Sequence, residues 1–107
     1  MKPIVNEIAT RLRDEMSAAL DDFEGLYVFG SQVRGDAKPH SDVDIVMLFG
    51  STPFYMPDEF YEILSHMYAD YYEAIDLDLQ HYTMEQLKIN PLFYNEVVNK
   101  GVYYGTV

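Results

Sequence analysis

Asp42 and Asp44 stand two residues apart in Ser41-Asp42-Val43-Asp44-Ile45-Val46-Met47-Leu48-Phe49, a segment acidic at its start and apolar beyond. If the segment is extended, both carboxylates project to one side, about 7 Å apart. Like charges at that separation repel. A half-buried pair becomes tolerable when it ligates a cation, and oxygen ligands suit Mg²⁺ or Mn²⁺. Standing alone, the pair reads equally well as two acids at the solvent-exposed end of a strand.

It has company on both sides. Gly30-Ser31 closes the apolar run Leu26-Tyr27-Val28-Phe29. A glycine at such a turn lets a phosphate approach the backbone, where the following N–H groups and the Ser31 hydroxyl can donate to it. Arg34, about one turn further on, carries a guanidinium suited to a phosphate. Downstream, Asp76 and Asp78 alternate with Ile75, Leu77 and Leu79, so the two acids share one face of a strand and the apolar residues the other. Three convergent carboxylates are what two-metal nucleotidyl or phosphoryl transfer requires. Either Asp76 or Asp78 could supply the third, since they differ by one pleat.

Positioning these groups requires strands and turns, and the sequence supplies signals for both. Val5, Ile8, Leu12 and Met16 recur at helical spacing behind Pro3, which predicts an amphipathic helix over 3–20. Residues 26–29 predict a buried strand, 32–41 a loop or short helix, and 42–49 a second strand closed by Gly50-Ser51-Thr52-Pro53. Asp58 is suited to cap a helix bearing Phe60, Ile63, Leu64, Met67 and Tyr71, after which 73–80 alternates as a third strand. Thr83 with Gln86 predicts a capping box, Asn90-Pro91 an interruption, and Phe93 with Val97 a last helix ending at Gly101; Val102 to Tyr104 read as a short closing strand. The order describes an α/β domain, residues 1–107, with a small mixed sheet and helices mainly on one face.

Composition narrows the function. Seven basic residues against eighteen acidic give a formal charge of −11, spread along the chain. That field repels phosphate backbones, which argues against direct docking on DNA or RNA, while a nucleotide held through a divalent metal stays compatible. No cysteine is present, so there is neither a disulfide framework nor a thiolate metal site. No apolar run is long enough to span a bilayer, and the first residues mix charge into a helical pattern. A cytoplasmic location, with no membrane, is the expectation.

The segment resembles the nucleotidyltransferase superfamily that includes DNA polymerase β, and within it the short proteins called minimal nucleotidyltransferases. The signature of that family is Gly-Ser, ten residues, then Asp-x-Asp; here it is Gly30-Ser31, Gln32 through Ser41, then Asp42-Val43-Asp44. Arg34-Gly35 within the loop and the closing stretch Glu96-Val97-Val98-Asn99-Lys100-Gly101-Val102-Tyr103-Tyr104-Gly105 are similar as well. The resemblance implies that Gly30 and Ser31 hold the triphosphate of ATP or another nucleoside triphosphate, with Arg34 beside them. It implies that Asp42 and Asp44 ligate Mg²⁺ or Mn²⁺. It points to Asp78 as the third carboxylate, with Asp76 as the fallback, because Leu77-Asp78-Leu79-Gln80-His81-Tyr82-Thr83 looks like the strand that runs into a helix in that family. Many minimal nucleotidyltransferases resemble the antitoxin half of a pair whose other half is a helical HEPN-domain ribonuclease. The implied activity is transfer of a nucleoside monophosphate to a hydroxyl, such as a tyrosine of that partner, in a homo- or hetero-oligomer. The competing expectation is a module that binds the partner with little or no catalysis. Antibiotic-type modification of a small molecule fits less well, because the acceptor-binding helical domain of larger members has no counterpart here.

Other residues weigh less. His40, His66 and His81 share no metal-ligand spacing. Tyr61, Tyr68, Tyr71 and Tyr72 are expected mainly to pack around the middle helix. Phe54, Tyr55 and Met56, between prolines, make an apolar loop that leans toward contact with a partner. Ser31 lacks the histidine base and GxSxG setting of a hydrolase nucleophile.

Overall fold

The computed structural model describes all of residues 1–107. Helix α1, Pro3–Ala19, begins on Pro3, whose fixed φ suits a first turn, and buries Val5, Ile8, Ala9, Leu12 and Met16 along one stripe. Strand β1, Phe23–Phe29, runs into the short helix α2, Ser31–Arg34, and strand β2 covers Val43–Phe49. Helix α3, Asp58–Tyr71, crosses to strand β3, Leu77–Tyr82, which lies parallel to β2. Parallel neighbours need such a crossover, since a tight hairpin can join only antiparallel strands. Two short helices, α4 (Met84–Lys88) and α5 (Pro91–Tyr94), lead through a π-helical stretch, Asn95–Asn99, to strand β4, Val102–Tyr104.

The four strands lie in the order β3-β2-β1-β4, with β1 antiparallel to both β2 and β4. The sheet is therefore mixed, as expected for this fold class. The two long helices, α1 and α3, bury the larger core on one face together with Leu26, Val28, Val43, Ile45, Met47 and Phe49. The second face is closed by the short C-terminal elements: Leu87 and Val97 pack on Phe29, Val46 and Leu48, with Tyr82 and Phe93 beside them. No helix is long and apolar enough to cross a membrane.

Element boundaries differ from expectation in two informative places. Strand β3 starts at Leu77 because the N–H groups of Ala74 and Ile75 both donate to the Tyr71 carbonyl, which holds residues 72–75 in the turn that ends α3. Asp58 is the first helical residue of α3 and makes no side-chain cap; Pro57 occupies the capping position. The Thr83 and Gln86 capping box forms in full, with both reciprocal hydrogen bonds, and Asn90 caps α5 by accepting from the Leu92 and Phe93 N–H groups.

Candidate active site

The strand register gathers the acids. Asp44 at the start of β2 pairs with Phe29 at the end of β1 on one side and with Asp78 of β3 on the other. Even-numbered positions of β2 face the C-terminal elements, as Val46 and Leu48 do, so Asp44 and Asp78 lie together at the edge of that face. Asp76 falls just before β3, is exposed, and contributes its carbonyl to the Val43 N–H at 2.9 Å. Asp42 precedes β2 and is exposed. Outside the ladder, its side chain has no register to fix it.

Gly30 is the hinge between β1 and the site. Its φ of 81° and ψ of −154° lie in a region side chains rarely adopt, and a Cβ there would stand 2.5 Å from Oδ2 of Asp44. The backbone turns into α2 at this point, with the Val33 and Arg34 N–H groups both donating to the Gly30 carbonyl at 3.1 Å. The glycine thus serves two ends: it makes the turn, and it leaves the room that the Asp44 carboxylate fills.

Negative charge at the site is only weakly compensated. Burial of Asp44, reinforced by the proximity of Asp78 and Asp42, pushes its carboxyl up to about 6, with Arg34 pulling weakly the other way. Asp78 stands close enough to hydrogen-bond with the Asp44 carboxyl. A divalent cation answers this chemistry: the donors are all carboxylate oxygens, and the repulsion between them is what a cation would relieve. The side chains do not, however, form a ready-made cluster of three protein ligands for a metal ion. Asp44 and Asp78 are together; the exposed Asp42 would have to close on them.

Arg34 is exposed and is held by two carboxylates. Its Nη1 donates to Glu96 at 2.5 Å and its Nε to Asp36 at 3.4 Å. These partners, Glu96 first, hold the guanidinium in its charged form. A cleft of about 350 Å³ opens beside Asp42, lined also by Tyr68, Tyr72, Asp76 and Leu77. His40, grouped with the incidental histidines, lies on the rim of an adjoining depression with Ser41 and Asp76.

One contributor to the site carries no mark in the sequence. Gln32, second residue of α2, is 2% exposed and donates from Nε2 to the Ser41 carbonyl at 3.1 Å. Ser41 in turn accepts from the Lys38 N–H through Oγ at 2.8 Å and donates its own N–H to the Lys38 carbonyl. The ten-residue loop between Gly30-Ser31 and Asp42 is thereby braced from inside. A glutamine between a serine and a valine carries no signal of burial by itself; only the short helix, which turns its side chain inward, reveals the strut.

The chain is similar to known proteins in sequence pattern and in fold. A family model described as polymerase beta, nucleotidyltransferase, matches residues 12–103. No curated protein matches the chain. Among solved structures, a toxin–antitoxin crystal structure with AMP-PNP superposes with a TM-score of 0.61 at 25% identity, covering 95% of this chain and 73% of that one. A second, of a tri-AMPylated HEPN toxin from Shewanella oneidensis in complex with its MNT antitoxin, gives a TM-score of 0.54 at 22% identity over 95% of this chain and 70% of that one. A third, of the MntA toxin–antitoxin pair carrying paired aspartate-to-glutamate replacements, gives a TM-score of 0.61 at 22% identity, again over 95% and 73%.

Proposed function

Because the chain belongs to the polymerase beta nucleotidyltransferase family, we propose that it transfers AMP from ATP to a hydroxyl acceptor, a tyrosine of a HEPN-type helical partner, in the cytoplasm. The observation that carries this reading is the in-register pairing of Asp44 with Asp78 beside a glycine turn where a side chain would collide with the Asp44 carboxylate. The AMP-PNP and AMPylated-toxin relatives support the choice of nucleotide and acceptor.

In this reading Gly30 and Ser31 receive the triphosphate at the start of α2, and Arg34 exchanges Glu96 for a phosphate oxygen. Asp42, Asp44 and Asp78 hold Mg²⁺ or Mn²⁺. When bound, the metal supplies positive charge for the leaving pyrophosphate and acidifies the attacking hydroxyl. The acceptor oxygen forms a bond to the α-phosphorus as the bond to the bridging oxygen of pyrophosphate breaks, and the hydroxyl proton leaves to a carboxylate at the site. We assign that role to Asp78, a reading supported by its position on an edge strand with one side open. The chain's charge of −11 suits a basic, RNA-cleaving partner better than it suits RNA itself.

A second reading, partner binding without catalysis, is favoured by the apolar surface: Phe54 is 90% exposed, Leu92 84% and Ile89 81%. Incubation of the protein with α-labelled ATP, Mg²⁺ and the partner separates the two. Label on the partner that disappears in an Asp42→Asn, Asp44→Asn variant supports transfer. Neutralisation of the partner by that same variant, at wild-type strength, would sink the catalytic reading and leave binding.

A further inference from the structure

Strand β3 carries an uninterrupted polar row on the face that bears Asp78. Asp78, Gln80 and Tyr82 are spaced two apart, all half-buried, and are linked in sequence by hydrogen bonds. The Tyr82 hydroxyl donates to Oε1 of Gln80 at 2.8 Å, and Nε2 of Gln80 donates to Oδ2 of Asp78 at 3.2 Å. The direction is fixed by chemistry. A phenol that donates to the amide oxygen leaves the amide nitrogen, which can only donate, for the carboxylate. The far end of the row is anchored as well, since the Tyr82 ring packs edge-on against Phe93 with centroids 5.9 Å apart.

We propose that Gln80 is a positioning residue for the site: its side-chain amide, oriented by Tyr82, holds the Asp78 carboxylate in the rotamer that faces Asp44. The inference rests on the reading of Asp78 as a metal-binding carboxylate. An edge-strand aspartate with free rotation could turn to solvent, away from the like charge of Asp44. The amide bond to Oδ2 offsets that repulsion and leaves Oδ1 for a cation. Groups that hydrogen-bond to a metal ligand without touching the metal commonly change affinity by about 10–100-fold when removed.

The test is Mn²⁺ titration of the full chain, followed by the loss of the free-ion electron paramagnetic resonance signal, together with thermal melting. Gln80→Leu keeps the volume and removes the donor. It is expected to weaken Mn²⁺ binding by roughly 10-fold or more while the melting temperature stays within a few degrees of wild type. Tyr82→Phe keeps the packing on Phe93 and frees the amide to flip; it is expected to weaken Mn²⁺ binding in the same direction, by less. Should Gln80→Leu fail to fold, Tyr82→Phe decides alone. Asp78→Asn separates the two layers of the argument. If it abolishes Mn²⁺ binding while Gln80→Leu and Tyr82→Phe bind as wild type does, the role of Gln80 is overturned and that of Asp78 stands. If Asp78→Asn itself binds Mn²⁺ normally, Asp78 is no ligand and the inference falls with it.

Discussion

Gly30→Ala is the perturbation whose consequences the structure determines most fully. Two penalties fall on one methyl group. The backbone at φ 81° and ψ −154° lies where side chains are strained, and such residues carry about 1–3 kcal/mol of strain. The new Cβ would meet Oδ2 of Asp44 at 2.5 Å. That atom ends a rotatable side chain, so the carboxylate swings aside, adding of order 1 kcal/mol for an off-rotamer side chain. The sum is about 3 kcal/mol, which for a domain near a hundred residues lowers the melting temperature by roughly 12 °C. Calorimetric melting of wild type, Gly30→Ala, Asp44→Ala and the double variant resolves the parts. In the Asp44→Ala background only the backbone share remains, so the glycine substitution should cost about 1 kcal/mol less there. ATP binding should fail in Gly30→Ala even under conditions where the protein stays folded, because the displaced carboxylate no longer faces Asp78. A Gly30→Ala protein within half a kilocalorie of wild type, or one equally destabilised in both backgrounds, refutes the claim that Asp44 occupies the space the glycine leaves.

Three further outcomes follow from the same geometry. The Asp44 carboxyl is raised to about 6 in the folded protein from an ordinary value of 3.8, so the folded state holds this proton more tightly than the unfolded chain and ionisation works against folding. The penalty is complete above about pH 6 and fades as pH falls toward 4. Metal-free Asp44→Asn should accordingly melt above wild type at pH 7.5 and lose that advantage near pH 4.5, as read by paired thermal melts; added Mg²⁺ should stabilise wild type and not the variant. Arg34→Ala should weaken ATP binding by roughly tenfold, in line with loss of one charge-assisted hydrogen bond at a partly solvated site, whereas Glu96→Gln, which releases the guanidinium, should strengthen it; titration calorimetry reads both. Gln32→Leu removes the buried donor to the Ser41 carbonyl and should cost about 1–2 kcal/mol, with faster amide exchange across residues 36–42 as its local signature.

Much of the site was legible in the chain because the relevant groups are close in sequence or fixed by strand period. Gly30-Ser31 and Asp42-Val43-Asp44 declare a turn and a strand, and alternation places both apolar and acidic positions without reference to anything distant. Alternation alone leaves Asp76 and Asp78 one pleat apart, with only the family resemblance favouring Asp78, because which of them meets Asp44 depends on the β2–β3 register, a non-local quantity. That register is Asp44 to Asp78. The parallel pairing is anchored by the Val43 N–H to Asp76 carbonyl bond and by the turn that keeps residues 72–75 with α3, neither of which leaves a local mark. The long helices α1 and α3 followed from apolar spacing alone. Closure of the second face by α4, α5 and the π-helical stretch did not, since Leu87 and Val97 are single buried residues on short elements with no stripe to read. Arg34 is expected from the sequence as a cation for phosphate; its partner in the structure, Glu96, lies sixty-two residues away and could be found only in the folded chain.

The central claim is that this arrangement binds a nucleoside triphosphate through metal held by its carboxylates. Titration of ATP into the protein with and without Mg²⁺, on wild type and on Asp42→Asn, Asp44→Asn, tests it most directly. The account predicts saturable binding by wild type that requires Mg²⁺ and is absent in the variant. Wild-type protein that takes up no ATP at any Mg²⁺ concentration, or a variant that binds ATP as wild type does, contradicts it.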